Sequence, residues 1–191
     1  MEPDMMLFRE SGEAAPARSA TAMPVSRPGS VPASAMRGSR RGRKRVLAIA
    51  SAGGHWVQLQ RLAPAFDGLD VAYASVYPAY SQDVPGSRFY AFDDVSRLHK
   101  TRIVKVMAQL LWILVRERPD VVVTTGSGPA LIMLALCKTL LRSKTIWIDS
   151  IANCEQLSFS GSKARRYADV WLTQWPHLAR GDGPHYWGAV L

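Results

Sequence analysis

Apolar residues are unevenly distributed along the chain: residues 1–44 hold no sustained apolar run, while residues 45–191 hold many. The first run, Val46-Leu47-Ala48-Ile49-Ala50, is closed by Ser51-Ala52-Gly53-Gly54, a pattern that predicts a buried strand and a turn. Between residues 55 and 66 the apolar positions Val57, Leu59, Leu62 and Phe66 recur at helical spacing. Further strands are predicted over residues 70–76, 87–92, 120–124, 144–149, 169–173 and 185–191. A long helix is expected over 101–118, ending before Pro119, another over 130–141, and a short one containing 163–167.

Strands alternating with helices predict an α/β fold, Rossmann-like, with a mostly parallel sheet flanked by helices. Such sheets bind ligands beyond the carboxyl ends of their strands. That rule gathers residues 51–55, 126–129 and 149–155 around one crevice.

Residues 1–44 are rich in Ala, Ser, Pro, Gly and Arg without periodicity. Such a segment buries too little apolar surface to offset its ordering entropy and is expected to be disordered, leaving 45–191 as the folded domain. A start site assigned too far upstream is the rival explanation, since Met5, Met6, Met23 and Met36 all precede the first strand. No apolar h-region of a secretory signal is visible in the first 30 residues. The net charge is +9, with 24 Lys and Arg against 15 Asp and Glu, which points to an anionic partner. Arg37, Arg40, Arg41, Arg43, Lys44 and Arg45 concentrate that surplus just before the first strand, where it can hold a domain to anionic lipid. No nucleic-acid motif follows, so nucleic acid is not expected as a partner. The two cysteines, Cys137 and Cys154, have neither CxxC spacing nor a His partner, so no metal site or disulfide is expected and a reduced, cytoplasmic setting fits.

Four segments carry candidate chemistry. In Ser51-Ala52-Gly53-Gly54-His55 a glycine turn opens a helix, so backbone N–H groups and the helix N-terminus suit a phosphate or diphosphate. It is not GxGxxG and has no P-loop lysine, and a ligand-free turn accounts for it equally well. His55 is a candidate general base, because its ordinary pKa lies near neutrality, or else simply a residue at the start of the helix. Thr124-Thr125-Gly126-Ser127-Gly128-Pro129 makes a second anion-compatible turn, or a bare loop that binds nothing. In Trp147-Ile148-Asp149-Ser150-Ile151-Ala152-Asn153, Asp149 and Asn153 are candidates to contact sugar hydroxyls or to orient the neighbouring loops, or Asp149 simply caps the following turn. Residues 103–115, with Trp112, are apolar on nearly every face and basic at both ends, yet shorter than the roughly 20 residues of a bilayer span. They read either as an interfacial helix with snorkelling basic ends or as a helix buried on the sheet.

Taken in order, SAGGHWVQLQRL (51–62), RPDVVVTTGSGPAL (118–131), TIWIDSIANCEQLSFSGSKARRYADVWLTQWPHL (145–178) and HYWGAVL (185–191) resemble the Alg-fourteen family of glycosyltransferase subunits, which includes PssD-type capsule and exopolysaccharide proteins. The resemblance implies the N-terminal half-domain of a GT-B enzyme, similar to the peptidoglycan transferase MurG. It implies a membrane-associated subunit, on the cytoplasmic face, that binds a polyprenyl-diphosphate-linked acceptor. A separate Alg-thirteen-like or PssE-like chain would bind the UDP-sugar. The assembled enzyme would be an inverting transferase forming a β-1,4 linkage, with no cofactor. Carried over by position, Ser51, Gly53, Gly54, Gly126, Ser127 and Gly128 would line the acceptor diphosphate, with His55 the nearest base for the acceptor hydroxyl. The closing WGAVL segment would lie near the partner. The chain departs from the eukaryotic pattern in having no N-terminal transmembrane helix, so Arg41, Arg43, Lys44, Arg45 and Trp112 would serve attachment. It also has Asp149-Ser150 where a Glu-Ser or Glu-Val pair is common.

Two other classes stand beside this reading. A self-sufficient small nucleotide-binding enzyme lacks support from any GxGxxG, GxSxG elbow or paired acid and base. A non-catalytic basic scaffold protein rests only on the high pI.

Overall fold

The computed structural model describes residues 42–94 and 100–190. Seven strands form one sheet in the order β3-β2-β1-β4-β5-β6-β7. They are β1 (Arg45–Ile49), β2 (Asp70–Ser75), β3 (Arg88–Ala91), β4 (Val121–Thr124), β5 (Lys144–Ile148), β6 (Val170–Thr173) and β7 (His185–Tyr186). Every neighbouring pair is parallel. Parallel strands covered on both faces read as unbroken apolar runs, and RVLAI and VVVT do.

Alternation along β1 divides the core in two. Leu47 and Ile49 face a cluster with α2 (Lys100–Glu117) and α3 (Gly128–Leu136), including Val106, Leu110, Ile113, Met133 and Trp147. Val46, Ala48 and Ala50 face the other cluster, built with Trp56 and Leu59 of α1 (Gly54–Arg61) and with Phe66 and Tyr73. At the opposite end of the sheet from the turns after β1 and β4, buried Glu117 closes α2 against the sheet. It accepts from Arg88 Nε and Nη2 at 2.9 and 2.8 Å and from the Tyr90 hydroxyl, while Arg88 Nη1 also reaches Asp70 at 2.8 Å.

Several boundaries differ from expectation for local reasons. The helix expected over 55–66 stops at Arg61, and Pro64 puts residues Ala63–Phe66 into a 3₁₀ turn. The helix expected over 130–141 starts at Gly128, where Pro129 suits a first turn, and ends in a π turn, Cys137–Leu141, closed by left-handed Arg142. The short helix α4 is Phe159–Ala164 rather than 163–167, because Ser158 caps it. The last strand is only His185–Tyr186. A 3₁₀ helix at Pro78–Asp83, which periodicity does not signal, packs beside α1. The tail expected to be disordered lies, apart from residues 42–44, outside the described residues, as do Arg41 and Leu191.

Candidate functional site

The strand order reverses direction between β1 and β4, and at such a switch point the loops leaving neighbouring strands part to open a crevice. Here a cleft of about 220 Å³ is lined by His55, Ser127, Ser150, Asn153, Ser158 and Phe159, among others. The turns after β1, β4 and β5 thus meet, as expected, and α4 adds a wall that periodicity does not reveal.

His55 stands in the first turn of α1, and two bonds fix it across the switch point. Its Nδ1 lies 2.8 Å from the Thr125 carbonyl oxygen, and the Thr125 hydroxyl donates to the His55 carbonyl at 2.6 Å. A carbonyl can only accept, so the neutral ring carries its proton on Nδ1 and keeps the Nε2 lone pair for another partner. The ring lies against Gly126. A Cβ there would sit 2.7 Å from His55 Cε1, and the backbone holds φ +125°, so a side chain is excluded twice over. Ser127, next in the turn, takes φ 119° without being glycine, and its hydroxyl accepts from Ala130 N–H at 3.2 Å to cap α3. Non-glycine residues held in that region cost about 1–3 kcal/mol and concentrate at binding sites.

The turn before α1 differs in one respect from an open ring of donors. The Gly53 N–H donates to the Tyr80 hydroxyl at 3.1 Å, with Tyr80 stacked on Trp56 at 4.8 Å. Gly54 and the start of α1 remain as the outward-facing part of the turn, and Ser51 lies behind, its carbonyl accepting from the Ser75 hydroxyl at 3.1 Å.

Asp149 is buried behind the cleft rather than facing it. Its Oδ2 accepts from Ser158 N–H at 2.8 Å and its Oδ1 from the Ser158 hydroxyl at 2.6 Å, while Trp147 Nε1 donates from 3.3 Å. Gly161 leaves room for this carboxylate, since a Cβ there would come within 2.5 Å of Oδ1. Asp149 therefore positions the loop, and the contact with a sugar hydroxyl entertained for it has no free oxygen to use. Asn153 lies only 3.5 Å from Asp149 Oδ2 through its Nδ2 and lines the cleft. Cys154 beyond it is exposed, and its carbonyl accepts from His177 Nε2 at 2.6 Å.

Beneath the loop lies a pair of buried amides that no local motif announces. Gln58 donates through Nε2 to the Ser150 hydroxyl at 3.1 Å, and its Oε1 accepts from Ile151 N–H at 3.2 Å. Gln174 donates through Nε2 to Gln58 Oε1 at 2.6 Å and to the Asp149 carbonyl at 2.9 Å, and its Oε1 accepts from Val190 N–H at 2.7 Å. α1, the β5 loop, β6 and the closing segment are joined there.

Two surfaces lie away from the cleft. α2 buries Val106, Leu110, Ile113 and Leu114 and leaves Val104 (70% exposed), Leu111, Trp112 and Val115 (62% exposed) on its outer face. Arg116 stacks over the Trp112 ring at 5.5 Å, and Lys105 pairs with Asp93 at 2.6 Å. Among the described residues no helix is long and apolar enough to cross a membrane. Arg43, Lys44 and Arg45 are exposed at the start of β1, where the Arg45 guanidinium also reaches Asp120 at 3.6 Å.

The chain is similar to known proteins at two levels. The family profile described as "Oligosaccharide biosynthesis protein Alg14 like" matches residues 96–190. An alignment of 185 residues with the UDP-N-acetylglucosamine transferase subunit ALG14 of Eremothecium gossypii gives 27% identity and covers 81% of this chain and 83% of that one. With the protein of the same name from Mus musculus, identity is 25% over 169 residues, covering 70% and 76%. Among solved structures, the UDP-GlcNAc 2-epimerase of Methanocaldococcus jannaschii superposes with a TM-score of 0.51 at 14% identity. That match covers 68% of this chain, which spans only 39% of the epimerase's length. The likeness shows the fold, a Rossmann-like parallel sheet of the GT-B type, and nothing of the chemistry.

Proposed function

The chain belongs to the Alg14-like family of oligosaccharide biosynthesis proteins, and from that premise we propose that it is the acceptor-binding subunit of a two-chain inverting glycosyltransferase. The acceptor is a polyprenyl-diphosphate-linked glycan of a lipid-linked oligosaccharide, exopolysaccharide or capsule. The UDP-sugar, UDP-N-acetylglucosamine in the first instance, is held by an Alg-thirteen-like or PssE-like partner. The folded domain, from residue 45 onward, supplies one Rossmann-like half, and the donor half comes from that second chain.

One observation carries the reading: His55 is locked with Nδ1 on the Thr125 carbonyl and its other nitrogen without a partner among the described residues, in a polar cleft between two glycine turns. In the reaction the acceptor hydroxyl oxygen attacks the anomeric carbon of the donor sugar. His55 Nε2 takes the hydroxyl proton, and the C–O bond to UDP breaks with its electron pair leaving on the diphosphate. Attack opposite to the leaving group inverts the anomeric centre. Gly54, Ser127 and Gly128 offer donors to the acceptor diphosphate at the openings of α1 and α3, where helix dipoles favour negative charge.

For attachment, the outer face of α2 lies in the interface of an anionic membrane, with Trp112 at headgroup depth and Arg43, Lys44 and Arg45 on phosphates.

The test is co-expression with the donor-binding subunit, co-purification, and transfer from labelled UDP-sugars to lipid-linked acceptor. Activity is expected only with both chains. His55→Ala is expected to lower turnover about 10²–10⁴-fold, the usual worth of a positioned base, while the pair still co-purifies. Activity of this chain alone would overturn the two-chain reading, and unchanged turnover of the variant would remove His55 from the chemistry.

A further inference from the structure

The buried amides beneath the cleft run in one direction. Val190 N–H donates to Gln174 Oε1, Gln174 Nε2 to Gln58 Oε1, and Gln58 Nε2 to Ser150 Oγ. Neither amide can be turned over. Reversing Gln174 would set its NH₂ against the Val190 N–H and its oxygen against two other oxygens. Reversing Gln58 would set its NH₂ against the Ile151 N–H. Ser150 Oγ also accepts from Ala152 N–H at 3.3 Å.

A serine hydroxyl has two acceptor sites and one proton. At Ser150 both acceptor sites are occupied by donors, and among the described residues nothing accepts the proton. The side chain is 95% buried by its surroundings, at 5% exposure, yet it lines the cleft with His55, Ser127 and Asn153. A buried hydroxyl proton left without an acceptor costs free energy of the order of a lost hydrogen bond. The free direction is the cleft.

We propose that Ser150 is a ligand-contacting residue whose hydroxyl is held as an obligate donor by Gln58 and Gln174, and that it donates to a phosphoryl oxygen of the bound acceptor. This rests on the acceptor-binding reading above. A phosphoryl oxygen is the partner that fits, because it accepts only and rewards a donor that cannot turn away. A sugar hydroxyl, donor and acceptor together, makes no use of that fixed polarity. Gln58 and Gln174 are positioning residues, acting through Ser150 and touching no ligand.

The experiment measures binding of a short-chain prenyl-diphosphate-linked N-acetylglucosamine to the full-length chain by calorimetry, over a pH series. Ser150→Ala is expected to weaken binding about tenfold or more, the worth of a hydrogen bond to a charged group. Ser150→Thr, which keeps the hydroxyl, is expected to restore most of it. Gln58→Glu supplies the readout that mere loop anchoring would not move. With its introduced carboxyl protonated, that variant still donates to Ser150 Oγ and binds like wild type. Once ionised it takes the serine proton for itself, so affinity falls as pH rises through the carboxyl's titration. In the Ser150→Ala background the same change is expected to add nothing, because its effect runs through the hydroxyl. Equal affinities of wild type and Ser150→Ala, or equal losses in the alanine and threonine variants, would overturn the assignment of Ser150 alone. Failure of the wild-type chain to bind would overturn the acceptor-binding reading itself, and this inference with it.

Discussion

At the scale of single residues the site depends on space as much as on donors. Gly126 is where the His55 ring rests, and Gly126→Ala is expected to push the imidazole off the Thr125 carbonyl. Backbone strain and the clash together should lower stability by about 1–3 kcal/mol, and transfer should fall toward the level of His55→Ala. Thermal melting and turnover of the assembled pair check this, and a variant with wild-type turnover would show that the ring has another seat. His55 was legible in the chain because a strand, a glycine turn and a helix start announce themselves locally. The choice among the roles open to Asp149 was not, since nothing in the linear text says that Ser158 and Gly161 fold back around its carboxylate. Gln58, Ser150 and Gln174 lie in segments singled out above, but nothing local pairs them: they meet across 92 and 116 positions, and only tertiary structure brings the two amides and the hydroxyl into line.

At the scale of elements, strands β5 and β6 are clasped by one carboxylate. Asp169 is partly desolvated, which alone would raise its pKa, yet bonds from Lys138 and from the Thr145 N–H and hydroxyl prevail and hold it below the ordinary carboxylate range. A depressed carboxyl stabilises the fold fully above the unfolded pKa, near 4, and that contribution disappears as pH falls through the lower folded value. Asp169→Asn is therefore expected to cost about 1–2 kcal/mol at neutral pH, with the gap to wild type narrowing below about pH 4. Chemical denaturation at a series of pH values tests it, and a constant gap would show that the carboxylate charge is not what clasps the strands. The positions of the central strands were readable because parallel, twice-covered strands leave continuous apolar runs, whereas exposed β7 is far shorter than expected. Helix ends were less so: Pro64, the Ser158 cap and the left-handed residue Arg142 each moved a boundary that periodicity alone placed differently.

At the scale of the whole molecule, α2 puts its inner face on the sheet, as a buried helix would, and presents an outer face that is also apolar and on which the proposed attachment rests. Val104 and Val115 contribute little to packing at their exposure. Val104→Glu with Val115→Glu is expected to leave the melting temperature nearly unchanged, as surface changes usually do. The same pair should lower flotation with anionic liposomes several-fold, and undiminished flotation would assign attachment to the basic segment instead. The seven-stranded order could not be read from the chain, because sequence fixes which segments are strands but not which neighbours they choose.

The two cysteines stand in opposite situations, and that contrast has a practical use. Cys137 is sealed in the core, where burial pushes its thiol up to about 12, whereas Cys154 is exposed on the loop that brings Asn153 to the cleft. Thiol reagents attack the thiolate and need access, so at neutral pH the natural chain takes a dye at one position only. A fluorophore there sits one residue from the cleft-lining Asn153 without any engineered substitution, a native optical reporter with which filling of the proposed acceptor site can be watched.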